Sequence, residues 1–396
     1  MRKNLTFAYA LQQTILWAEF GFLIAFAYPY LTEQTGLTDG TAGLVLGIAT
    51  ATAFLLQPLL TTLVDKTRLN TRAVSLLISA MGAAFAGAAA LTAGGSALFF
   101  GAACVCLQIA PAFSNAMGMQ AIRVGYSLNF AVARACGSIS FGVAAKLTAV
   151  LISKFGNQAI AAAAAISAAL FCLVTLAFPS VHTTEEAKKP TPIKDFFREN
   201  PRFLFVLLAS VLMYIGHNAL SNAMYRVVES KLPAGVAETA VTDLQGTVLM
   251  VVAFLELPTM FLFRRLLKKL RCDVWLGISC VCMTLRLLLT WLLPGEMGIL
   301  LAQLTQMGGY AIYVVATVYY VGSVISKENV VKGQTYLGAS NTLGCLIAYF
   351  VGGTLTEHFG VEAMLLTSLA TAVLGTVIMF LSMERVDQTA GTDEQE

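Results

Sequence analysis

Charge is what this sequence has least of. Lys, Arg, Asp and Glu make up 12% of its 396 residues, against roughly one quarter in an average soluble domain. Hydrophobic residues reach 57% and mean hydropathy is +0.75. A soluble fold of this composition could not cover its surface with polar groups, so a water-soluble enzyme or binding module is excluded. Other things are missing too. No motif sets a nucleophile beside a base, no Gly-rich phosphate loop occurs, and His182 and His358 have no evident metal partners. The eight cysteines (104, 106, 136, 172, 272, 280, 282 and 345) mostly lie inside apolar runs, where neither a disulfide framework nor zinc spacing can be read. They read as small packing residues, and no metal or organic cofactor is expected. Arg2 and Lys3 precede an apolar run to Leu31 that carries no small-residue cleavage site, so the first helix is expected to be retained. The net charge of +3 says little about partners, since placement matters more than the sum, and no nucleic-acid partner is expected.

What is present is a series of long apolar runs separated by short charged breaks. Crossing about 30 Å of hydrocarbon takes roughly 20 apolar residues. Twelve runs satisfy this, at about 7–31, 41–63, 73–93, 96–117, 130–153, 158–178, 203–226, 243–263, 274–293, 298–322, 334–355 and 361–383. An even number of spans puts both termini on one side. With the termini inside, inner segments hold 19 Lys and Arg, whereas the outer loops hold only Lys154, Arg226 and Lys231. The positive-inside rule therefore predicts cytoplasmic termini in a cell inner (plasma) membrane.

The longest break, Pro179 to Pro201, divides six spans from six. The predicted organisation is an N-terminal six-helix half (1–178), a cytoplasmic linker (179–202), a C-terminal six-helix half (203–383) and a cytoplasmic tail (384–396). The halves echo each other. Span 2 ends Pro58…Asp65-Lys66 and span 8 ends Pro258…Arg264-Arg265, while the turns after spans 5 and 11 read Phe155-Gly156 and Phe359-Gly360.

Two segments carry a family resemblance. The stretch Thr61-Thr62-Leu63-Val64-Asp65-Lys66-Thr67-Arg68 resembles the loop motif of the major facilitator superfamily, Gly-x-x-x-Asp-Arg/Lys followed by basic residues, with Thr61 standing where the motif has Gly. Asn129-Phe130-Ala131-Val132-Ala133-Arg134-Ala135-Cys136-Gly137 resembles the span 5 signature of lactose-permease-like and nucleoside-permease-like symporters, an arginine followed three residues later by glycine. The resemblance implies an all-α membrane protein of twelve transmembrane helices in two six-helix halves, the major facilitator fold, with the solute held near the midplane between parallel repeats. It also implies an inner gate at Asp65, Lys66 and Arg72, for which a solvated charged turn is the alternative. Arg134 falls on the arginine that binds substrate hydroxyls in the sugar members. A guanidinium suits that task because its fixed fork addresses two neighbouring oxygens at once. From the residues alone, the alternative is that Arg134 snorkels to the inner interface from the first turns of span 5.

In the second half, Glu256-Leu257-Pro258 on span 8 and Arg286 on span 9 resemble the same family's paired acid and arginine. Arg286 lies about 18 Å from the inner end of its span at 1.5 Å per residue, too deep to reach water easily. A proton-coupling acid with its counter-charge is one reading, and a structural ion pair is the other. Glu19 stands as deep in span 1, with Arg134 as its prospective partner, so structural pairing and substrate contact both remain open. Lys146 is expected to snorkel outward. Asn115, Asn218, Asn222, Gln306 and Asn341 are candidate solute contacts, with Gln12, Gln13, His217 and Gln303 as further polar residues that could line a cavity or bond between helices.

Departures from the family pattern also inform. The stretch Phe113 to Met117 lacks the acid that sugar permeases carry on span 4. Leu304 to Tyr310 lacks the His and Glu of lactose-type proton coupling, so any coupling must run through Glu256, Glu19 or another route. Span 5 lacks the Gly-x-x-x-Gly-Pro run of drug/proton antiporters, which disfavours efflux. The expected function is proton-coupled import of a small polar solute, a sugar, nucleoside or similar metabolite, by a monomer in the lipid bilayer with the proton as coupling ion. An efflux pump, an uncoupled facilitator and a transport-fold sensor are the alternatives. No loop or tail is long enough for a signalling domain.

Overall fold

The computed structural model describes residues 4–67, 70–179, 193–326 and 329–386, with side chains described for all of these except 63–67, 131, 260, 261 and 264. Among the described residues the chain is helical without strands; one isolated bridge joins Asn4 to Ser127. The helices are α1 (Thr6–Leu23), α2 (Ala27–Pro29), α3 (Asp39–Thr67), α4 (Thr71–Leu91), α5 (Ala97–Arg123), α6 (Phe130–Phe155), α7 (Gln158–Ala177), α8 (Ile193–Glu199), α9 (Pro201–Asn222), α10 (Met224–Lys231), α11 (Glu238–Leu267), α12 (Cys272–Leu292), α13 (Gly295–Gln303), α14 (Tyr310–Val324) and α15 (Val330–Ser382). A π-helical turn, Tyr30–Gln34, follows α2, and a 3₁₀ turn, Leu304–Gln306, joins α13 toward α14.

Ten of these stretches are long and apolar enough to cross a membrane, and the bent pair Thr6–Leu23 with Ala27–Gln34 makes eleven. The eleventh and twelfth apolar runs are merged in α15, which is interrupted only at Gly360, where φ is +82°. Each arm of α15 exceeds the roughly 20 residues a crossing needs. Gly156, which closes α6, has φ +72°. The two Phe-Gly turns of the internal echo thus share a left-handed conformation that glycine adopts without a Cβ penalty. Several helices overrun their apolar runs. α5 continues to Arg123, and α11 spans Glu238–Leu267, because backbone hydrogen bonding persists into the polar flanks after hydropathy has fallen.

Large apolar side chains such as Leu55, Ile166, Phe205 and Leu381 face outward, as a hydrocarbon solvent allows. Small residues let helices approach. A Cβ at Gly21 on α1 would lie 2.7 Å from the Phe141 carbonyl oxygen of α6. In the N-terminal part α1 packs on α6 and α7, and α4 packs on α5 and α7; in the C-terminal part α9 packs on α15, and α12 on α14 and α15.

The chain divides into two compact units, Met1–Glu186 with Pro233–Ala253, and Ala187–Leu232 with Phe254–Glu396. The first unit therefore includes the N-terminal stretch of α11. Four contacts hold that stretch there. Lys146 Nζ meets Asp243 Oδ1 at 2.5 Å and donates to Thr247 Oγ1 at 2.9 Å, Asn157 Nδ2 donates to Glu238 Oε1 at 2.6 Å, and Gln245 Nε2 donates to the Ala25 carbonyl at 2.8 Å. Lys146 is thus engaged by one turn of α11, where a carboxylate and a hydroxyl four residues apart meet it, and does not simply snorkel outward.

Candidate functional site

Two membrane helices are broken, one in each unit. In the first, Thr6–Leu23 and Ala27–Gln34 bend by 47°. In the second, helix gives way after Gln303 to a 3₁₀ turn and resumes at Tyr310. A break inside a bilayer frees backbone carbonyls that need donors. Gln245 supplies one to Ala25, and Thr259 Oγ1 supplies one to Met307 at 3.0 Å. Both donors belong to α11.

The first polar constellation surrounds the α1–α6 contact. Asn129 caps α6, its Oδ1 accepting from Val132 N at 3.0 Å, and the second turn then carries Arg134. The guanidinium lies 4.0 Å from the centre of the Trp17 ring, and Nη1 donates to Ser138 Oγ at 3.0 Å. A cation over an indole face is attracted by the ring quadrupole. Gly137 explains how the ring fits, because a Cβ there would lie 2.5 Å from Trp17 Cδ1. The arginine and the glycine three residues on share a helix face, so the signature Arg-x-x-Gly makes a seat for one aromatic ring. The ring is fixed from behind. Trp17 Nε1 donates to Gln13 Oε1 at 3.1 Å, Gln13 Nε2 to Ser114 Oγ at 2.9 Å, Ser114 Oγ to Gln12 Oε1 at 3.3 Å, and Gln12 Nε2 to Thr175 Oγ1 at 2.8 Å. Gln12, Gln13, Ser114 and Thr175 are all buried. Asn115 is exposed, and its Oδ1 accepts from Tyr9 at 3.4 Å.

The expected Glu19–Arg134 pair does not form. Residues two apart on a helix point about 200° apart, so Trp17 meets α6 while Glu19 turns toward α5 and α7. There its buried carboxylate lies within electrostatic reach of the Cys104, Cys106 and Cys172 thiols.

The second constellation gathers at the break before α14. Arg286 is 3% exposed, and both Nε and Nη2 donate to Gln303 Oε1, at 2.8 and 2.6 Å. Gln303 Nε2 donates in turn to the Ile299 carbonyl at 2.9 Å, which fixes the orientation of the amide. Arg286 Nη1 lies 3.4 Å from His217 Nδ1, and the His217 ring stacks on Tyr310 with centroids 4.1 Å apart and planes 5° from parallel. Glu256 Oε1 accepts from Gln306 Nε2 at 2.8 Å. The carboxylate also acts electrostatically on Arg286. The sequence pairs Glu256 directly with Arg286. The structure places neutral polar groups on both, because the broken helix delivers Gln303 and Gln306 to the two charges. Asn218 Nδ2 donates to Asn341 Oδ1 at 3.2 Å, and Asn222 Nδ2 faces Cys345 Sγ at 3.8 Å, so these three asparagines link α9 to α15.

Of the predicted gate, the side chains of Asp65 and Lys66 lie outside the described residues. Arg72 sits in the first turn of α4, its backbone N–H capped by Asn70 Oδ1 at 2.9 Å and its Nη2 donating to the Leu176 carbonyl. No cluster of metal-ligating side chains occurs among the described residues. Sequence reasoning missed Trp17 and Tyr310 and the break in span 10. The available signals were the four-residue step from Gln13 to Trp17 and the adjacent Gly308-Gly309.

A model of the Major Facilitator Superfamily matches residues 5–295. Among solved structures, the nucleoside transporter NupG superposes with a TM-score of 0.78 at 18% identity, covering 96% of this chain and 98% of that one. An auto-inhibited POT family peptide transporter gives 0.73 at 10% identity, with 98% of each chain covered. A bacterial homolog of the human lysosomal transporter Spinster gives 0.67 at 14% identity, covering 95% of this chain and 96% of that one. None of the curated proteins compared matches the chain in sequence at a significant level.

Proposed function

Because this chain belongs to the Major Facilitator Superfamily, whose members move solutes across membranes, we propose that it imports a small polar solute by proton-coupled alternating access, with nucleosides as the first class to test and sugars as the second. The observation that carries the reading is Arg134 on its indole seat: a half-buried guanidinium inside an apolar helix bundle, held against Trp17 and Ser138. A charge at that depth is costly and is kept where it serves a function. Glu256 is the coupling acid in this reading. It accepts from a neutral amide, Gln306, and stands within electrostatic reach of the buried Arg286. The absence of His and Glu from the break before α14 favours one alternative, an uncoupled facilitator.

The 19 to 3 division of basic residues supports cytoplasmic termini in an inner (plasma) membrane. The protein is taken to act as a monomer.

The test is a thermal-shift screen of the purified chain against uridine, adenosine, galactose, lactose and gluconate. A ligand at 100 times its dissociation constant adds about 2.7 kcal/mol. Stabilisation by a nucleoside or sugar that disappears in Arg134→Ala supports the proposal. Stabilisation by gluconate alone would contradict the solute class, and equal stabilisation of the Arg134→Ala protein would remove Arg134 from the site.

A further inference from the structure

The hydrogen bonds around Arg286 fix more than the arginine. A guanidinium can only donate, so the His217 nitrogen facing it at 3.4 Å, Nδ1, accepts. The neutral ring then carries its proton on Nε2. Every preceding link is set: the Ile299 carbonyl orients Gln303, Gln303 takes two donors of Arg286, and Arg286 turns its third toward His217. The ring plane is set as well, by stacking on Tyr310. Nε2 itself meets no hydrogen-bond partner among the described residues, and His217 is only half-buried. Other titratable groups around the ring are Tyr310, stacked on its face, and Glu256, which acts on Arg286 from α11.

We infer that His217 is a solute-specificity residue: its Nε2–H is a pre-oriented donor for an acceptor group of the solute, a carbonyl oxygen, ring nitrogen or hydroxyl oxygen. With Nδ1 taken by the Arg286 donor and the ring plane set by Tyr310, only Nε2–H is left to offer, so the ring reads the solute and does not carry the coupling proton. This rests on the nucleoside reading above, and the experiment separates the two.

Uridine binding is measured on the purified full chain in lipid nanodiscs, for wild type, His217→Gln and His217→Asn. Glutamine places an amide N–H where Nε2 stood, whereas asparagine can accept from Arg286 but offers nothing at the distal position. The expected dissociation constant stays within about threefold of wild type for His217→Gln and rises at least tenfold for His217→Asn. Wild-type affinity in the asparagine variant, or equal losses in both, overturns the proposal while leaving the nucleoside reading intact. A wild-type chain that binds no uridine overturns that reading and the role of His217 with it. The tautomer is measured separately, by ¹⁵N solid-state NMR of a His182→Gln, His358→Gln chain, which leaves His217 alone of the three histidines. A protonated Nε2 with a bare Nδ1 is expected, and the reverse tautomer overturns the inference. That measurement needs no substitution at His217, so it stands even if the asparagine variant misfolds.

Discussion

The two units hold their deep arginines by different means. Arg134 is half-buried and rests on an aromatic face with a hydroxyl at one nitrogen. Arg286 is 3% exposed and is tied by an amide and an imidazole, with an acid nearby. An indole contact holds a guanidinium through its face and leaves its fork in the plane of the ring contact, an arrangement that suits recognition of a polar ligand. The second arrangement spends the fork's donors on fixed protein partners and suits a group that sets the field at a neighbouring carboxylate. Under the proposed function, the first unit would contribute affinity and the second coupling and selectivity.

The largest effect expected from this contrast is at Glu256. Glu256→Gln keeps shape and hydrogen bonding but removes the titratable group, so proton-driven accumulation in proteoliposomes should fall to equilibration, a ratio of about 1, while solute exchange at equal concentrations persists. Accumulation retained by the glutamine variant would pass suspicion to Glu19.

Next is Arg134. Arg134→Lys keeps charge but loses the fork and much of the stacking, so solute affinity should drop about 100-fold, or ~2.7 kcal/mol, nearly as far as in Arg134→Ala. Affinity is read by calorimetric titration, and a lysine variant near wild type would return Arg134 to the interfacial role.

Stability sharpens the contrast further. Gln303→Leu leaves two donors of a buried cation unmet and should cost about 2 kcal/mol, seen as a lower melting temperature in detergent. Ser138→Ala removes one bond from a half-exposed cation and should cost less than about 1 kcal/mol. Equal losses would mean that Arg134 is as structural as Arg286.

The smallest effect concerns the seat. Trp17→Phe should retain most affinity, and Trp17→Leu should lose about fivefold, in line with a cation–π contribution of about 1 kcal/mol. Identical behaviour of the two would show that the ring only fills the space over Gly137.

Much of the fold was legible, because a membrane span announces itself by length and hydropathy alone. The Phe-Gly turns at 155–156 and 359–360 were legible for a similar reason, since glycine marks a left-handed position. Arg134 and Arg286 stood out because charge inside an apolar run is conspicuous. Their partners did not. Nothing local tells Glu19 to face α5 and α7, and only the 100° step between helical residues separates it from Trp17. The break before α14 was hidden because Gly308-Gly309 lies within an apolar run, and Gln303 and Gln306 acquire their roles only once that break turns them toward α11 and α12. The N-terminal stretch of α11 joins the first unit through close packing, such as a Cβ at Gly246 that would stand 2.9 Å from the Ala145 carbonyl oxygen. Periodicity does not report that preference.

The most direct test of the account is uptake of radiolabelled uridine by proteoliposomes containing the wild-type chain, with an acidic exterior and the interior at neutral pH. The account predicts accumulation well above the external concentration, its collapse by a protonophore, and its absence in Arg134→Ala. Uptake that stops at equal concentrations whatever the pH difference would contradict proton coupling and make the protein a facilitator.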